Sequence, residues 1–220
     1  MTQRELVDVS SARLDGAGAY MARHRDEYVQ WAQAAAPRLT DPDSVWDRFA
    51  FSILTANTTV DCAVRAFKLA RKIRGLPRSL QMPGVTPDRY DYVNSLPLDT
   101  RIFSLLRQRG ESWPVYRERV ASSVQGLALT KASYSICLLY PMRADVACLD
   151  IWMLRLFERD PRLGFVATPE TVWNSAQRYR LIETVCIRPL ARQHGISLAL
   201  AQWLLWDYVR GSRTPQDWFA

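Results

Sequence analysis

Histidine is scarce in this 220-residue sequence: only His24 and His194 occur. That argues against a histidine-rich zinc enzyme and against serine–histidine hydrolysis. Lysine is scarce too, with Lys68, Lys72 and Lys131 alone, so any lysine nucleophile is one of three. The four cysteines (Cys62, Cys137, Cys148, Cys186) are far apart in apolar surroundings, which excludes a disulfide framework and suits a reducing cytosol. No apolar run approaches the ~18 residues that a membrane helix needs. The opening MTQRELVDVSSARLDG is charged throughout where a signal peptide would be hydrophobic. The expectation is a cytoplasmic protein without membrane contact. Alternating apolar and polar runs are also missing, so β-structure has almost no signal.

What is present is a core-forming composition, 48% apolar and 23% charged, on a chain sized for one domain or two packed halves. The net charge is +7, and 26 of the 29 basic residues are arginine. Guanidinium pairs two phosphate oxygens at once, so such a surface suits nucleic acid. A GC-rich genome, which favours arginine codons, accounts for the same bias.

Helical spacing recurs along the chain. A first helix is expected over 17–36. DPDSVWD (41–47) reads as a helix start, with Ser44 as cap and Asp47 completing a box. That helix pauses at Ala56–Asn57, and Thr58 to Asp61 forms a second capping box that opens a helix to about Arg74. A Pro- and Gly-rich connector (75–87) follows, then shorter helices over 88–95, 99–109 and 114–123. VQGLALTKAS (124–133) leads into a helix to Tyr140. Later helices are expected from Leu149 to Arg159, from Pro169 with an interruption near Pro189, and from Ser197 to Arg210. The fold class is all-α.

Three features carry chemistry. Gly126 to Lys131 (GLALTK) lies between two helices, where a glycine turn exposes amide N–H groups at the next helix's positive end, a seat for phosphate. The simpler alternative is a glycine helix stop. Asp150 sits in the apolar run ACLDIWMLR (147–155), where an acid is costly without a partner or a purpose; its simpler alternative is a helix cap. Asn57 is the polar residue at the pause between two helices, or merely a loop residue.

In order and separation the three resemble the helix-hairpin-helix superfamily of DNA base-excision glycosylases, the relatives of endonuclease III and 8-oxoguanine glycosylase. There a helix ends in a turn of the type Ser-Ala-Gln-x-Thr, which here reads Thr55-Ala56-Asn57-Thr58-Thr59. The phosphate-gripping hairpin, Gly-Val-Gly-x-Lys-Thr-Ala, reads Gly126-Leu127-Ala128-Leu129-Thr130-Lys131-Ala132. The segment with the essential aspartate, Val-Asp-Thr-His-(apolar)-x-Arg, reads Leu149 to Arg155. The resemblance covers about 44–74 and 117–158, more weakly 198–208. It implies a two-lobed fold, lobe A over about 44–125, the hairpin over 117–140, and lobe B over 141–220 together with the N-terminal helices 1–40. The boundary would run near the connector, with DNA in the cleft.

The sequence departs from the family in three places. The second hairpin glycine is Ala128. No closely spaced cysteines follow Asp150, so no iron–sulfur cluster and no other cofactor is expected, with room left for a monovalent cation at the hairpin. Counted from Gly126, the catalytic lysine of bifunctional members falls on Thr130, and Lys131 lies ~100° further round the helix. Counted back from Asp150, Lys131 is 19 residues away, as in the 8-oxoguanine relatives. Both registers stay open.

The resemblance implies a monomeric enzyme that flips a modified or damaged base out of double-stranded DNA and cleaves its N-glycosidic bond. Asn57 with Thr58 would fill the gap, and Gly126, Leu127, Ala128, Leu129 and Thr130 would hold a phosphate. Asp150 would stabilise charge at C1′, and Lys131, if it faces the site, would attack there as an amine, adding lyase activity. Phe51, Tyr134, Trp152, Trp203 and Trp206 would offer a stacking wall, although for each one individually core packing is the simpler account. No metal ligand set is expected. Two alternatives are a phage-type base-hypermodification enzyme, transferring an amine or amino acid to a modified thymine, and a non-catalytic DNA-binding module. The compartment would be the nucleoid or a phage-infected host cytoplasm.

Overall fold

The computed structural model describes residues 3–56, 58 and 60–211, with 3–13 and 60 described by backbone alone. Its helices are α1 (Gln3–Ala35), α2 (Pro42–Leu54), α3 (Val60–Ile73), α4 (Pro87–Asn94), α5 (Trp113–Ser123), α6 (Leu129–Leu139), α7 (Ile151–Phe157), α8 (Pro169–Val172), α9 (Ala176–Ile182), α10 (Arg188–Gln193) and α11 (Leu198–Arg210). A 3₁₀ turn over Thr100–Leu105 and a π-helical turn over Glu183–Ile187 complete the set. No strand occurs among the described residues, so the protein is all-α. None of its described helices is long and apolar enough to cross a membrane.

The chain divides into two compact units. In one, described residues up to Ala35 pack with those from Tyr140 onward; the other is Ala36–Leu139. The connector expected to mark a lobe boundary lies inside the second unit, so the chain crosses between units at 35–36 and 139–140. In the first unit α1 packs along α11, and both pack on α7. The approach of α1 to α11 is close: a Cβ on Gly16 would come within 2.4 Å of the Tyr208 hydroxyl. Buried between them, the Tyr28 hydroxyl donates to the Asp207 carboxylate. In the second unit α2 is central, buried from Val45 to Leu54 and packed on α3, α4, α6 and the 3₁₀ turn.

Several helix ends differ from expectation, each for a local reason. Helix α1 begins far before residue 17. Helix α2 is capped by Asp41, whose carboxylate accepts from the Asp43 and Ser44 amides, because Pro42 takes the first helical position and puts the cap before itself. Ser44 is therefore inside the helix. Asp47 completes no box: it is buried and contacts Arg71 Nε at 3.2 Å and Arg74 Nη1 at 3.3 Å. Burial pushes its carboxyl above the usual range despite those two cations. Thr58 makes no cap bond; its Oγ1 is buried without a hydrogen-bond partner among the described residues. The helix expected over 99–109 is only a 3₁₀ turn, led by the Asp99 cap. The helix expected to run on from Pro169 stops after Val172 and restarts at Ala176, where Ser175 accepts from the Arg178 amide. The interruption near Pro189 is the π-turn immediately before it, since proline offers no N–H to the α ladder.

Candidate active site

In the second unit the chemistry gathers where α6 begins. Helix α5 ends with the Val124 amide on the Val120 carbonyl, and a turn closes from the Leu127 amide to the Val124 carbonyl. Gly126 holds φ +82° in that turn, a left-handed value that glycine adopts without strain. Its carbonyl accepts from Arg89 Nη1 at 3.1 Å, and the Arg89 guanidinium lies 5.6 Å from the Tyr92 ring centroid. Arg89 and Tyr92 of α4 thus brace the hairpin. The amides of Gly126, Ala128, Leu129 and Thr130 have no acceptor among the described residues. They are the free donors expected at the start of an 11-residue helix.

Lys131 is the third residue of α6. Its Nζ donates to Thr55 Oγ1 at 3.2 Å and lies 5.3 Å from the centroid of the Tyr134 ring. Thr55 Oγ1 in turn donates to the Ser52 carbonyl at 2.9 Å, inside the last turn of α2. Lys131 therefore reaches to the end of α2. Thr130 is half-buried and makes no side-chain bond among the described residues. The Phe51 ring stands 6.3 Å from Tyr134 and 5.2 Å from Phe67, but Phe51 itself is wholly buried. Thr58 is half-buried, and Asn57 lies outside the described residues.

In the first unit Asp150 is the N-cap of α7, as the simpler reading expects. Its Oδ1 accepts from the Trp152 and Met153 amides, both at 3.0 Å, and its Oδ2 accepts from Trp206 Nε1 at 2.7 Å. The extended stretch before it is pinned by side chains. The Ala147 amide donates to Glu183 Oε1 at 2.8 Å, the Leu149 amide to the Tyr179 hydroxyl at 2.8 Å, and Trp173 Nε1 to the Leu149 carbonyl at 2.7 Å. The Tyr179 hydroxyl donates onward to the Ala147 carbonyl at 2.9 Å. Asp150 is half-buried, and both of its carboxylate oxygens are held by N–H donors.

The aromatic candidates separate by exposure. Trp152 is 37% exposed, with the Arg155 guanidinium 4.6 Å above its ring. Trp203 is 2% exposed, edge-on to Trp31 and Trp206, so the free protein offers no face of it to a base. Trp206 is a carboxylate partner and not a free stacking surface. Thr55, Arg89, Tyr179 and Glu183 carry no sequence signal of their bonds to Lys131, Gly126, Leu149 and Ala147, because those partners are remote in the chain. Among the described residues no group of three His, Cys, Asp or Glu side chains could hold a metal ion.

Two helices flank a glycine turn with free amides, and the all-α fold is that of the 8-oxoguanine DNA glycosylases. The structure of the Thermotoga maritima 8-oxoguanine DNA glycosylase is similar at TM-score 0.73 and 18% identity, over 92% of this chain and 98% of its own. That of the Methanocaldococcus jannaschii 8-oxoguanine DNA glycosylase gives 0.71 and 19%, over 90% and 94%. The M. jannaschii 8-oxoguanine glycosylase/lyase in complex with 15mer DNA containing 8-oxoguanine gives 0.63 and 20%, over 93% and 91%. No protein-family model and no curated protein sequence matches the chain.

Proposed function

We propose that this protein is a DNA glycosylase with lyase chemistry, acting on an extruded modified base, and that Lys131 is its nucleophile. The observation that carries the reading is the placement of the Lys131 amine. One of only three lysines, it is half-buried with its amine against Thr55 and Tyr134, on the helix that starts at the free-amide hairpin. A surface lysine in a first helical turn would have no reason to give up its rotamer freedom there.

The chemistry follows from the groups. The neutral Lys131 amine gives its lone pair to C1′, forming the N–C1′ bond. The C1′–base bond breaks with its electron pair going to the base, which departs carrying the proton lost by the amine. The nitrogen lone pair then opens the sugar ring, giving a protonated Schiff base and an O4′ that takes a proton from water. Asp150 supplies negative charge to the cationic sugar; the neutral N–H groups that it accepts orient that charge without cancelling it. The amides of Gly126, Ala128, Leu129 and Thr130 hold a phosphate and read no sequence.

The experiment is incubation with duplex oligonucleotides carrying oxidised, deaminated, alkylated or hydroxymethylated bases, 8-oxoguanine first, followed by mass spectrometry and borohydride trapping. Free base, cleaved strand and a trapped complex lost in Lys131→Gln are expected. An intact strand of increased mass marks a base-modifying transferase, and binding without any product marks a non-catalytic module; either overturns the proposal.

A further inference from the structure

The geometry points to Thr55 as a positioning residue for the Lys131 amine, one that orients the nitrogen through an N–H and leaves its lone pair unspent. The inference rests on the reading of Lys131 as nucleophile. Three observations lead to it. The Thr55 hydroxyl proton is committed to the Ser52 carbonyl at 2.9 Å, so towards Nζ, 3.2 Å away, Oγ1 acts as acceptor. The hydroxyl itself is fixed, because Thr55 is the C-cap of α2 and its amide bonds back to the Phe51 and Ile53 carbonyls. The second contact of the amine, the Tyr134 face at 5.3 Å, is of a different kind.

Those two contacts respond oppositely to loss of the proton. An aromatic face attracts the ammonium through its charge, and that attraction disappears in the neutral amine. A hydroxyl that only accepts keeps its hold, since the neutral amine still has two N–H bonds to give. Thr55 is then a contact that survives into the reactive form. A donor in its place would consume the lone pair needed for attack. A valine would keep the shape and leave the four-carbon stem free to turn.

Lysine-selective ¹³C labelling shows three Cε signals, one for each lysine in the chain, and Lys131→Arg assigns the one that matters. In Thr55→Val the Lys131 signal is expected to shift while those of Lys68 and Lys72 stay; in Thr55→Ser it stays near the wild-type position. Single-turnover borohydride trapping is expected to fall about tenfold in Thr55→Val and to recover within about twofold in Thr55→Ser, with DNA affinity held within about twofold throughout. Thr55→Ala carries the same expectation should the valine branch disturb the end of α2. An unmoved Lys131 signal, wild-type trapping in Thr55→Val, or serine and valine equally slow would overturn the inference. A shifted signal in a protein whose wild type traps nothing supports the contact and sinks the lyase reading instead.

Discussion

Trp206 Nε1 donates to Asp150 Oδ2 at 2.7 Å, while the other carboxylate oxygen caps α7. The indole is itself immobilised, 6.1 Å from Trp203 on one side and 4.1 Å under the Arg210 guanidinium on another. One carboxylate thus serves both the helix start and the edge of α11. A stacking wall of aromatics is a weaker account of Trp206 than this bond.

Asp150→Asn separates those duties. Asparagine caps a helix about as well as aspartate, so α7 should still form. What disappears is the charge and the acceptor for Trp206 Nε1, because the asparagine Nδ2 only donates, so the melting temperature should fall by a few degrees. Under the proposed function, single-turnover base excision falls about 100-fold or more, with DNA affinity equal or higher because a negative group has gone. Asp150→Asn retaining full excision would show that the residue is only a cap. Trp206→Phe should lower excision about tenfold through lost orientation and leave the dissociation constant within about twofold.

At the hairpin, Gly126→Ala meets two obstacles at once. The backbone sits at φ +82°, and the new Cβ would lie 2.4 Å from Tyr92 Cδ2 and 2.9 Å from Arg89 Nη1. The aromatic ring cannot yield as a flexible chain end would. A loss of about 1–3 kcal/mol is expected in chemical denaturation. DNA affinity should fall, and the slope of log affinity against log salt should become shallower as phosphate contacts are lost. An unchanged salt slope in a folded Gly126→Ala protein would remove the hairpin from the DNA interface.

The helices and the hairpin were legible because they depend on neighbours in sequence: Pro42 opens α2, Pro189 forces a break, and Gly126 turns the chain. Helix caps were read less well. Ser44 and Asp41 are both able caps, and only the position of Pro42 in the first turn decides between them. The register of Lys131 could not be settled by counting. Its partner, the Thr55 hydroxyl, is 76 positions away in the chain. Trp203 shows the opposite failure, since an aromatic in an apolar helix reads alike whether it lines a pocket or fills a core.

The cysteines give an inexpensive test of the packing. Cys137, Cys148 and Cys186 are buried and Cys62 is half-buried, and none of the four is in a disulfide. Burial, then the nearby Asp160 carboxylate, pushes the Cys186 thiol far above the usual range, so almost no thiolate forms there. With a maleimide at about pH 8, Cys62 should react first and the other three only after denaturant is added, as read by peptide mass spectrometry. Rapid labelling of Cys186 in the native protein would contradict the packing around the π-turn.

Asp160 should make the first unit acid-sensitive. Its side chain is 2% exposed and accepts from Arg162 through the amide at 3.0 Å and through Nε at 2.9 Å. Burial alone would raise its carboxyl, but the Arg162 bonds outweigh burial and hold it below the ordinary value of 3.8. For a depressed acid the stabilisation is present above the unfolded value and is lost as pH falls through the folded one. Arg162 is 43% exposed, so solvent screens the pair; about 1 kcal/mol, or about 2–4 °C, is a fair size for the effect. Asp160→Asn should therefore melt lower than wild type near neutral pH, and the gap should narrow below about pH 4 as the wild-type carboxylate takes up its proton. Parallel melting curves at every pH would show that Asp160 contributes nothing through its charge.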